Sequence, residues 1–172
     1  MLIKLSSFAF LLLFSSNCFQ ANNYVPEAVT VIEADLDSIC RTEVISFAKD
    51  YLGTTYKYAG ISPAKGFDCS GFVHYVYKNF DIDLPRGSKE YKFLGAALEP
   101  EEFKVGDILV FYGYKDKKQI GHVGIICEAN GMKSKFIHSS SGKAYGVTIS
   151  DLDSEHYSRR FYKCIDVIQE RK

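Results

Sequence analysis

Apolar residues recur along this chain in two rhythms, and the change of rhythm divides it. Between Ile39 and Leu52 the positions Val44, Ala48, Tyr51 and Leu52 follow helical spacing, and Gly53 supplies a stop. A loop rich in aromatics, Gly and Pro follows over residues 54–66 (TTYKYAGISPAKG). From Cys69 to Phe80 a single apolar stripe of Phe72, Val73, Val76, Tyr77 and Phe80 predicts a second helix. Asp68 is suited to cap it, which puts Cys69 in the first turn. The chain then bends at Leu84-Pro85-Arg86-Gly87, ahead of a short helix around Ser88 to Leu94.

Beyond Val105 the rhythm is that of strands. GDILVFY (106–112), HVGIICE (122–128), KFIHS (135–139), GVTIS (146–150) and the stretch from Arg160 to Ile168 are β-like runs separated by turn residues. Helices first and strands afterwards predict an α+β domain, its N-terminal helices packed on a mostly antiparallel sheet. One such domain over 39–172 suits a chain of 172 residues.

The N-terminus changes the picture of where this domain works. Residues 1–21 read as an export signal, with Lys4, the apolar run Phe8 to Phe14 and the small, polar stretch SSNCFQA. A run of that length cannot cross a hydrocarbon core of about 30 Å as a helix. Residues 22–38 form a leader, too short for a further binding module. The expected location is the cell envelope, periplasmic or secreted. Membrane association is expected only if Cys18 is lipidated, and Ser15-Ser16-Asn17 fit the lipoprotein pattern poorly. Lys plus Arg and Asp plus Glu both number 21, with no basic block, so a nucleic-acid partner is not expected. A monomer is.

The stretch KGFDCSGFVHYVY, Lys65 to Tyr77, carries the chemistry. Cys69 stands at a polar helix start rather than among apolar neighbours. A thiol has a pKa of about 8.5, and only its thiolate is a good nucleophile. Unsatisfied N–H groups and the positive end of the helix dipole favour the thiolate, and a facing imidazolium would favour it further. Cys69, Cys127, Cys164 and Cys40 all lie beyond the signal. A free Cys69 leaves at most one disulfide among the other three, with the pair open.

Four histidines compete to partner the thiol. His74 lies five residues along the same helix, so its side chain diverges from Cys69. His156, in DSEHYSRR, sits among polar residues as a solvated loop residue would. His122 and His138 lie in strand-like runs. Alternation places His122, Gly124 and Ile126 on one face, with Val123, Ile125 and Cys127 on the other. Paired strands would then set both rings side by side beneath the helix that delivers Cys69. In that arrangement His122 is the general base and His138 holds its ring. Two core histidines are the plainer alternative. Zinc is disfavoured: Cys127 and His122 fall on opposite faces, and no Cys-x-x-Cys or HExxH occurs. No metal or organic cofactor is expected.

Together these residues resemble the NlpC/P60 family of bacterial cell-wall cysteine peptidases. The likeness runs through LGTTYKYAGISPAKGFDCSGFV (52–73), LPRGS (84–88), VGDILVFY (105–112), GHVGII (121–126), FIHSSS (136–141) and GVTISDL (146–152). The resemblance implies a papain-like fold and a Cys-His-His triad of Cys69, His122 and His138. It implies that Tyr56 lies beside the nucleophile. It also implies that Asp68, Ser70, Arg86 and Ser88 line the substrate pocket, with helix and turn capping as their alternative role. The substrate implied is the peptidoglycan stem peptide, cut between γ-D-glutamate and a diamino acid, most often meso-diaminopimelate. Alternatives are an amidase or acyltransferase on another wall amide, or a wall-peptide-binding module without turnover. The family's Trp-Gly-Gly is Tyr58-Ala59-Gly60 here, and the Gln that often follows LPR-x-S is Tyr91. Both changes bear on pocket shape.

Overall fold

Apolar side chains on two helices and on one side of a sheet make the larger of two cores. The computed structural model describes residues 41–168. The segments read as an export signal and leader, with Cys18 and Cys40, lie outside the described residues. The first helix, α1, covers 41–49 and ends in turns, with the Tyr51 amide donating to the Ala48 carbonyl. It stops short of Leu52 because Gly53 turns at φ +82° and donates its N–H to the Val147 carbonyl, pulling the chain toward the sheet.

The loop that follows holds a small hairpin, β1 (Ile61–Ser62) and β2 (Gly66–Phe67). Helix α2 (Cys69–Lys78) buries the predicted stripe, from Phe72 and Val73 to Val76 and Tyr77. The short helix is a 3-10 turn over Ser88–Lys92, followed by another at Pro100–Glu102. Five strands follow: β3 (Ile108–Tyr112), β4 (Ile120–Glu128), β5 (Lys135–Ser140), β6 (Gly146–Asp151) and β7 (Phe161–Ile165). They form one sheet in the order β6-β5-β4-β3-β7, every pair antiparallel. A single turn of helix, α3 (Glu155–Ser158), precedes β7.

The sheet has a core on each face. Val110, Val123, Ile125 and Ile137 pack with Val44, Phe72, Val73 and Val76 of the helices. Leu109, Phe111, Ile126 and Phe136 face the other way, under Leu152 and Tyr157. The alternation read along β4 is therefore the observed one. One end of the sheet is fixed by charge: Arg41 pairs with Asp107 at 2.8 Å and with Asp166 at 2.6 Å, all largely buried. Cys127 and Cys164 are free thiols.

Candidate active site

Cys69 is the first residue of α2, directly after an Asp68 cap in extended conformation whose Oδ1 accepts the Gly71 N–H at 2.6 Å. Close approach explains the glycine of DCSG: a Cβ on Gly71 would stand 2.0 Å from the Gly60 carbonyl oxygen. The half-buried thiol reaches β4, with Sγ 4.0 Å from the Gly121 carbonyl and close enough to the Val123 N–H to feel its pull. It thus abuts the strand on either side of His122. Register slips here between β3 and β4, where Phe111 opposes His122 but Tyr112 opposes Ile120. Such a bulge re-aims side chains at a strand end.

His122 and His138 come together. Nε2 of His122 is 3.0 Å from Nδ1 of His138, and the rings meet edge to face at 4.9 Å. Gly124 makes this possible, since a Cβ there would lie 2.5 Å from the Phe136 ring and 3.0 Å from the His138 Cβ. His138 is fully buried, its Nε2 2.9 Å from Ser150 Oγ and 3.3 Å from the Tyr157 hydroxyl. One tautomer set that satisfies this chain has His122 Nε2–H donating to His138 Nδ1, and His138 Nε2–H donating to Ser150. That leaves Nδ1 of His122 as a base.

The rings do not lie beneath α2. They belong to the opposite face of the sheet, against Phe111, Phe136 and Tyr157. The helix packs on Val123 and Ile125, and Cys69 at its start meets β4 at the Gly121 carbonyl.

The electrostatics differ from the expected ion pair. Burial pushes the Cys69 thiol up to about 11, and the adjacent Asp68 carboxylate adds to the push. The N–H groups of Val123, Ser70 and Cys69 pull it down but are outweighed. The cap contributes in its own way: the carboxylate that satisfies the helix start also sets a negative charge beside the sulfur. Burial holds His122 well below 6.5, helped by the charges of His138, Arg160 and His156. His138 falls to about 3, by burial first and then by Arg160 and His156. A neutral thiol and a neutral imidazole therefore stand at this site.

On the other side of the thiol, Arg86 grips Asp68 in a two-pronged pair at 3.0 and 2.8 Å, and its Nη1 is 3.3 Å from Ser70 Oγ. Asp68 is thus at once helix cap and ion-pair partner. Ser88 opens the 3-10 turn without capping it and makes no side-chain hydrogen bond to this cluster. Tyr56 is half-buried, its hydroxyl pKa raised by burial and then by the nearby charges of Cys69 and Asp68. Tyr91 is fully buried in the helix-side core.

Ser150, Tyr157, Arg160 and His156 are the neighbours that the sequence did not reveal. His156 is exposed, but it sits on α3 with Nε2 2.7 Å from Arg160 Nη2, not free in a loop. His74 Nδ1 lies 2.9 Å from the Leu84 carbonyl, away from the site.

The NlpC/P60 family model matches residues 53–166, and the chain belongs to that family. It is 35% identical over 130 residues to the Gamma-DL-glutamyl hydrolase of Bacillus subtilis (strain 168), covering 74% of this chain and 29% of that protein. With the Probable endopeptidase NlpC of Escherichia coli (strain K12) it shares 32% identity over 143 residues, 83% of this chain and 82% of that one. The crystal structure of an NlpC/P60 family protein from Bacillus cereus ATCC 10987 superposes with a TM-score of 0.66 at 30% identity, covering 74% of this chain and 40% of the other. The helices and antiparallel sheet are the papain-like α+β fold of that family. This chain spans under a third of the B. subtilis hydrolase.

Proposed function

We propose that this chain is an exported cysteine endopeptidase that cuts peptidoglycan stem peptides at the amide after γ-D-glutamate, with meso-diaminopimelate as the residue released. The observation that carries the reading is the thiol held against β4 on both sides of His122, whose ring is fixed by His138 at 3.0 Å. The name of the B. subtilis relative supports a γ-glutamyl bond, and that of the E. coli relative supports the endopeptidase class. The signal-like residues 1–21 support export.

Cys69 is the nucleophile. As its sulfur attacks the carbonyl carbon, the S–H proton passes to Nδ1 of His122, so base and attack act in one step. The resulting imidazolium donates from Nε2 to neutral His138, which orients it without taking its proton. The Cys69 N–H at the helix start faces the developing oxyanion. His122 then protonates the departing amine, and a thioester remains on Cys69. Water, deprotonated by His122, releases the γ-D-glutamyl carboxylate and restores the thiol. Asp68, Ser70, Arg86, Ser88 and Tyr56 line the acyl side.

The test uses the mature protein and Cys69→Ala with muropeptides carrying meso-diaminopimelate or L-lysine, products read by mass spectrometry. A cut after D-glutamate, reduced in the variant to below about one-thousandth, is expected, because triad members fail as a unit. Wild-type turnover in Cys69→Ala sinks the mechanism. A different new terminus transfers the reading to an amidase or acyltransferase.

A further inference from the structure

The segment DSEHYSRR puts Arg160 under the sheet beside the two histidines. This guanidinium is 7% exposed and every partner it has is uncharged. Nε donates to the His156 carbonyl at 3.0 Å and Nη1 to the Tyr112 carbonyl at 3.3 Å. Nη2 meets His156 Nε2 at 2.7 Å, and the group lies 5.2 Å over the Tyr157 ring. Of the two acids in that segment, Glu155 is taken by Arg159, and Asp153 forms no ion pair with Arg160. Among the described residues no carboxylate pairs with Arg160. A guanidinium has five N–H donors, and three are used here. One remains on Nη1 and one on Nη2, the two-pronged set that fits a carboxylate. A buried charge with no opposite charge is costly unless a ligand supplies one.

The cation also has room beside it. A cavity of about 410 Å³ runs from His122 and Gly121 past Ser140 and Tyr157 to Arg160. A second, of about 300 Å³, continues from Arg160 to Lys117 and shares Tyr114 and His156 with the first. The direction matters: the amine that leaves must take its proton from His122, so the chain attached to it passes along this cavity.

We propose that the cleft between His122 and Lys117 is the leaving-side subsite, where Arg160 binds a carboxylate of the departing amino acid. The proposal rests on the peptidase reading. Lys117, on an exposed loop, adds a second positive charge, and Tyr114 forms one wall. The released residue is therefore selected for a free carboxylate, which suits a diamino dicarboxylic acid.

Binding to the Cys69→Ala protein tests this without turnover. The probes are L-Ala-γ-D-Glu-meso-diaminopimelate and the same peptide with both diaminopimelate carboxylates amidated, titrated by calorimetry. The acid form is expected to bind about 10- to 100-fold more tightly, the range for hydrogen bonds to a charged group. In a Cys69→Ala, Arg160→Gln protein the ratio should collapse to within about threefold. Where that protein fails to fold, the ¹⁵N resonance of Arg160 Nε in Cys69→Ala decides. It should move with the acid peptide and stay with the diamide, and an unmoved resonance overturns the proposal. Equal affinity for the two peptides, or no binding of either, also overturns it. Cleavage by the wild type in that case leaves the peptidase reading intact. Tight, acid-selective binding with no cleavage would retire the peptidase reading and keep the carboxylate site.

Discussion

Two buried arginines stand at opposite ends of β3, and they are balanced in opposite ways. Arg41, just before the strand, holds two carboxylates, Asp107 and Asp166. Arg160, past its far end, holds carbonyls, an imidazole and an aromatic face. The first is a unit in which two carboxylates answer one cation, and its work is to tie α1 to β3 and the end of β7. The second carries an uncancelled charge next to the reacting groups, where it depresses both histidines. Arg86 falls with the first type, since Asp68 answers it. The difference teaches that burial of a cation does not by itself say what the cation is for; its counter-charge does.

Breaking the closed unit should have the largest effect. Arg41→Met leaves Asp107 buried and unanswered, and a loss of about 3–5 kcal/mol in a denaturant melt is expected. Burial already raises the Asp107 pKa, restrained by the Lys104 N–H and then by Arg41. A raised folded pKa means the native state binds the extra proton, so stability is lost as pH rises. The variant should therefore recover part of its deficit at acidic pH, and an undiminished deficit there would contradict the pairing.

Arg160→Met sharpens the contrast, because it leaves no acid unpaired. Its expected cost is about 1–3 kcal/mol, that of the stranded carbonyls. A loss as large as that of Arg41→Met would mean that a hidden counter-charge exists. A third effect is on pH. Neutral His122 is the working form, so kcat/KM should fall only well below pH 6.5, where the ring takes up a proton. Arg160→Gln removes one positive charge from its surroundings, and the acid limb should move to higher pH. A limb that stays put would show that Arg160 does not act on the base. The smallest effect is Tyr157→Phe, which removes one hydroxyl at 3.3 Å from His138. A change in kcat/KM within about threefold is expected for one neutral hydrogen bond.

Periodicity made most of this legible. The stripe of α2 and the alternation of β4 and β5 depend on neighbouring residues alone, so the faces carrying His122 and His138 could be assigned before any fold was known. What escaped depends on distance in sequence. Two-residue strands such as β1 and β2 are too short to show a period, and α3 is one turn inside a polar run. Arg160 entered the sequence reading only as the start of a β-like run, because its partner Tyr112 lies 48 residues away. The pairing of Asp68 with Arg86 shows the same limit, as both capping and pocket roles fitted the sequence. The sign of the thiol shift was missed for a related reason. Helix position argues for ionisation, whereas the depth of burial and the charge of the cap appear only when the chain has closed around Cys69.

A sulfur that keeps its proton until it attacks is also slow to be spoiled. Peroxides and disulfides consume thiolates, seldom thiols. With its pKa near 11, Cys69 presents little thiolate at neutral pH. Its lasting readiness for work would then come from idling in an unreactive form. Slow labelling by an alkylating agent would be a mark of endurance rather than of a dead site.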